Sequence, residues 1–130
     1  MSASSQAITR GLKVIVQARY VEAQSNPEQN QWMFAYLVNI INDGDVSTQL
    51  ISRTWLITNS QGEEQRVEGP GVIGEQPRLE PGESFSYTSA CPLDTSVGSM
   101  HGTFSMRDDD GTTWEAEVAP FTLSTPYALN

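Results

Sequence analysis

Across positions 12–21, LKVIVQARYV, the side chains alternate, with Leu12, Val14, Val16, Ala18 and Tyr20 on one face and Lys13, Gln17 and Arg19 on the other. Successive residues of a strand point to opposite faces, so this spacing predicts a half-buried β-strand. The segment WMFAYLVNIIN (32–42) is β-branched and aromatic enough for a long central strand. Residues 46–58 follow, with Leu50, Thr54 and Leu56 expected on one side and Ile51, Arg53, Trp55 and Ile57 on the other. Residues 63–68 are short and polar, as suits a sheet edge where charged side chains discourage pairing. Residues 83–90, 100–106 and 113–123 complete the set, with Pro120 expected at an edge or bulge because proline cannot donate to a ladder. No stretch of ten or more residues carries a convincing apolar 3.6 period, and no repeat of 20 to 50 residues is present.

Turn signals separate these segments. Asn42-Asp43-Gly44-Asp45, Asn59-Ser60-Gln61-Gly62 and Asp108-Asp109-Asp110-Gly111 are rich in residues that tolerate positive φ. Seven or eight short antiparallel strands punctuated in this way predict an all-β fold, a β-sandwich of the immunoglobulin or fibronectin type III class, with a barrel as the rival. One cysteine, Cys91, excludes an internal disulfide and leans the choice to fibronectin type III.

A chain of 130 residues suits one domain with a core of its own. The expected division is a flexible stretch over 1–8, a single domain over 9–127 and a short tail over 128–130. Seven basic against sixteen acidic residues leave a net charge of −9, which repels nucleic acid and anionic membrane surfaces. The lone thiol suits a reducing compartment, MSASSQAITRG has no apolar signal core, and no apolar run reaches membrane-spanning length. The expectation is a cytoplasmic protein without membrane insertion.

The most unusual stretch is EGPGVIGEQPRLEPGESFSYTSACPL, residues 68–93. Gly69-Pro70-Gly71-Val72-Ile73-Gly74 matches G-x-G-x-x-G, which in a dinucleotide-binding fold lays pyrophosphate on a helix N-terminus. Pro77 and the pair Pro81-Gly82 downstream preclude that helix. Two uses of the loop remain. Backbone N–H groups of Gly69, Gly71 and Gly74 could form an anion nest, with Arg66 and Arg78 as charge-assisted donors to a phosphate or its Mg²⁺ complex. Alternatively the loop is a protein-contacting surface, with Val72, Ile73 and Leu79 touching the partner.

The run EGPGVIGEQPRLEPGESFSYTSACPL closely resembles the bacterial ApaG family, as do RYVEAQSNPEQNQWMFAYLVNIINDG before it and GSMHGTFSMRDDDGTTWEAEVAPFTL after it. The resemblance covers about residues 8 to 127. It implies a fibronectin type III-like or immunoglobulin-like sandwich and a non-enzymatic role in protein–protein contacts, as in similar domains of F-box proteins. It also implies an association with cobalt resistance and magnesium efflux, which for a chain without a membrane span is indirect.

Other residues are expected to be structural. Asp108 and Asp110 are weak candidates for a divalent cation and fit a hairpin turn better. His101 shares a strand face with Ser99, but no carboxylate or nucleophile elbow accompanies them. Cys91 is expected to be a buried hydrophobe, and Trp32, Trp55 and Trp114 to be core. Tyr127 and Leu129 carry a faint docking signal. The combined reading is an interaction module with no catalytic residues, no cofactor, an unknown protein partner and an open choice between monomer and dimer. Its alternative is a sensor of a phosphate-containing small molecule.

Overall fold

The computed structural model describes residues 2–127. Nine strands form two antiparallel sheets: β1 Ser2–Thr9, β2 Leu12–Tyr20, β3 Trp32–Asn42, β4 Thr48–Asn59, β5 Glu64–Pro70, β6 Arg78–Leu79, β7 Ser84–Leu93, β8 Val97–Asp108 and β9 Thr113–Ser124. One sheet runs β1-β2-β3-β7; the other runs β5-β4-β8-β9, with β6 paired to the start of β4. The alternation read from the sequence is the cause: Leu12, Val14, Val16 and Ala18 face inward and are buried, as are Phe34, Tyr36, Val38 and Ile40 of β3. Two single 3-10 turns, Glu22–Gln24 and Pro27–Gln29, occupy the polar connection before β3. Among the described residues no helix is long and apolar enough to cross a membrane.

Setting β1 and β6 aside leaves β2-β3-β7 facing β5-β4-β8-β9. In an immunoglobulin constant domain the fourth strand pairs with the fifth, on the first sheet. Here β5 pairs instead with β4. Both β5 and β7 are therefore sheet edges, which leaves the sandwich open on their side. On the other side β1 packs beside β9, and Thr9 Oγ1 accepts the Glu117 N–H at 3.0 Å.

Four expectations are corrected. Residues 2–9 do not fray: all eight pair with β2, from Ser2↔Arg19 to Thr9↔Leu12. Their small polar side chains suit an edge strand, and the pairing supplies the ladder bonds that such a sequence lacks on its own. That strand and the two-residue β6 raise the count from seven or eight strands to nine.

In β4 a bulge at Ile51, between Leu50↔Met106 and Ser52↔Ser105, resets the alternation. Leu50 therefore shares the inward face with Arg53, Trp55 and Ile57, and not with Thr54 and Leu56.

Trp55 is the only one of the three tryptophans in the core proper. It is 2% exposed, edge-on to Tyr36 at 5.6 Å and to Phe104 at 5.9 Å. Trp32 and Trp114 pack against the core margin. The Trp32 indole donates to the Tyr127 hydroxyl and that of Trp114 to Asp108. The tail 128–130, with Leu129, lies outside the described residues.

Candidate functional site

The G-x-G-x-x-G stretch forms the end of β5 and a tight reversal. Val72 and Glu75 exchange both backbone hydrogen bonds, at 2.8 and 2.9 Å, around Ile73 (φ 49°) and Gly74 (φ 74°). Positive φ at both central positions is the type I′ geometry that matches strand twist. Gly71 also has positive φ, and a Cβ there would lie 2.3 Å from the Glu75 carbonyl oxygen. Gly69 opposes Arg53 in the ladder, where a Cβ would lie 3.0 Å from the guanidinium. Packing and turn geometry thus account for all three glycines.

Arg53 lies across Gly69 and clamps the turn: its Nη1 donates to the Pro70 and Gly71 carbonyls at 3.1 and 2.9 Å. The bulge contributes as well. The Ile51 carbonyl accepts the Gly71 N–H, continuing the β4–β5 register by one position, and the Gln76 side-chain amide, both at 2.9 Å. Val72 is fully buried and Leu79 is 4% exposed, so both are core residues and unavailable to a partner, contrary to expectation. Ile73 is 57% exposed at the tip. Leu79 is held by Asn42, whose Nδ2 donates to the Leu79 and Val46 carbonyls at 2.9 Å each while its Oδ1 accepts the Gly44 N–H.

The residues expected to grip a phosphate are not brought together. The N–H groups of Gly71 and Val72 are bonded to the Ile51 and Glu75 carbonyls. Arg66 pairs with Glu68, and Arg78 pairs with Glu80 and Asp109, whose carboxyl it holds below its ordinary range. Arg66 opposes Leu56 of β4 and Arg78 opposes Gln49, seven positions away. At ~3.3 Å per residue that is about 23 Å, too far for both to hold one phosphate.

The aspartates of the β8–β9 turn also diverge. Asp108 accepts the Trp114 indole N–H at 2.8 Å and faces Arg10, Asp109 meets Arg78, and Asp110 caps the Thr112 N–H, which lowers its pKa. Among the described residues no three His, Cys, Asp or Glu side chains cluster as metal ligands would. His101 is half-buried on the outer face of β8 opposite Leu56. Neither it nor Ser99 is hydrogen-bonded to a carboxylate among the described residues. Cys91 is buried, and burial pushes its thiol up to about 11.

On the open side, two neighbouring hollows lie between β7 and β5, with Ile57, Gln65 and Pro92 lining both. The outer one, about 520 Å³, is rimmed by Trp32, Asn59, Glu63, Glu64 and Asp94. The inner one, about 220 Å³, lies between Tyr36, Arg53, Trp55, Val67 and Cys91. Sequence reasoning missed this cleft and the clamp by Arg53, because neither the partner of β5 nor the bulge in β4 has a local signature.

These features define a fibronectin type III-like β-sandwich with a rigid hairpin turn at one edge. Residues 22–108 match the ApaG domain family. The chain is 47% identical over 120 residues, 92% of each protein, to Protein ApaG of Brucella canis. It is 48% identical over 126 residues, 97% of this chain and 99% of the relative, to Protein ApaG of Azoarcus sp.. The crystal structure of the putative ApaA protein from Bordetella pertussis superposes with a TM-score of 0.86 at 47% identity, covering 89% of this chain and 94% of that one. The chain belongs to the ApaG family.

Proposed function

We propose that this ApaG domain is a cytoplasmic, non-enzymatic protein-binding module that reads its partner with the turn at residues 72–75. The observation that carries the reading is Ile73. A β-branched residue with positive φ is a genuine outlier, costing on the order of 1–3 kcal/mol, and it persists only where the surroundings impose it. Here Val72 anchors one side in the core, Arg53 grips the carbonyls before it, and the result is a large apolar side chain held out in solvent. Strain of this kind, spent on exposing an apolar group, is what a preorganised contact needs, since a partner then loses less entropy on binding. A link to cobalt and magnesium handling would run through that partner, because the acidic side chains of the β8–β9 turn are engaged by Arg10, Arg78 and Trp114.

The test uses Ile73→Ser and Ile73→Gly, which spare the buried Val72. Immobilised wild-type protein should retain a partner from bacterial lysate that both variants lose, while Ile73→Gly unfolds at higher urea, by about 1 kcal/mol, as glycine relieves the strain. A retained set identical for all three proteins would remove the turn from the reading.

A further inference from the structure

The inner hollow holds an unused donor. Trp55 lines the hollow, is 2% exposed, and its indole N–H has no hydrogen-bond partner among the described residues. An unpaired buried donor is rare and unfavourable in a folded protein, so this one asks for an acceptor. Beside it lies Arg53, whose Nη1 donates to the Pro70 and Gly71 carbonyls; among the described residues no carboxylate pairs with it. The rest of the lining includes the apolar or aromatic Tyr36, Ile57, Val67 and Met100, with Gln65 and Ser89 as its polar members.

We infer that the inner hollow between β5 and β7 is a binding site for a small carboxylate with a flat apolar body, its oxygens taking Arg53 and Trp55 and its ring lying among Tyr36, Val67 and Met100. The volume of about 220 Å³ admits a single ring and no nucleotide. A guanidinium offers a planar fork that matches carboxylate geometry, and in a partly dry site that pairing is strengthened. Inorganic phosphate would satisfy the donors but leave the apolar walls uncovered; a neutral ring would do the reverse. The site shares Arg53 with the turn that presents Ile73 but takes a different class of ligand.

The isotope-labelled protein is titrated with sodium benzoate, benzyl alcohol and inorganic phosphate, following the indole N–H signals. Trp32 and Trp114, already paired to Tyr127 and Asp108, are internal controls. Benzoate should shift the Trp55 indole signal saturably, at least tenfold more tightly than either of the other probes. An unmoved Trp55 signal, or comparable affinity for benzyl alcohol or phosphate, would overturn the assignment.

Discussion

Arg53 Nη1 donates to the carbonyl of Gly71 at 2.9 Å, joining the middle of β4 to the start of the turn 18 residues later. The contact ties the cleft to the turn, because the same guanidinium forms part of the cleft wall. It also sets unequal demands on the glycines that follow.

Gly71→Ala places a methyl 2.3 Å from the Glu75 carbonyl at φ 59°, and Gly74→Ala places one in open space at φ 74°. The first combines backbone strain with a collision and should cost more than 3 kcal/mol. The second carries strain alone, about 1 kcal/mol. Urea unfolding of the two variants decides the matter, and equal costs would mean that the turn is looser than described.

Asn42 is 2% exposed and ties three backbone groups together, at Gly44, Val46 and Leu79. Asn59 makes a similar number of bonds on the surface. Asn42→Ala leaves the buried Leu79 carbonyl unpaired and should cost about 3 kcal/mol, whereas water replaces the partner in Asn59→Ala at about 1 kcal/mol or less. Matching losses in chemical denaturation would contradict the hub role of Asn42.

Burial raises the Cys91 thiol from 9.0 to about 11. The unfolded chain releases this proton above pH 9 while the folded chain keeps it, so stability is full below pH 9. It falls as pH rises toward 11, by about 3 kcal/mol in all. Tyr36 and Tyr87, also raised by burial, add to the loss above pH 10. Between pH 9 and 10 the stability of Cys91→Ala should decline less than that of wild type; parallel curves would show that another group carries the alkaline sensitivity.

The sandwich was legible because strand alternation is a local property. Leu12 to Tyr20 declare their buried face within nine residues, and Gly62 and Gly111 announce reversals by their own backbone preferences. The candidate loop was legible as an anomaly but not as a geometry. Val72 and Ile73 look alike in sequence, yet one is buried and the other exposed, because the positive φ at Ile73 turns the chain over between them.

The sequence by itself determined that this protein is all-β, where most of its strands lie and which family it joins, since these rest on residue types at short spacing. Tertiary structure alone decided that residues 2–9 pair and that Ile51 bulges, placing Leu50 and Arg53 on one face. It also decided that β5 joins β4, leaving a cleft beside β7. Each of those outcomes depends on which distant backbone groups pair, and hydrogen bonds between main-chain atoms carry no residue-specific mark.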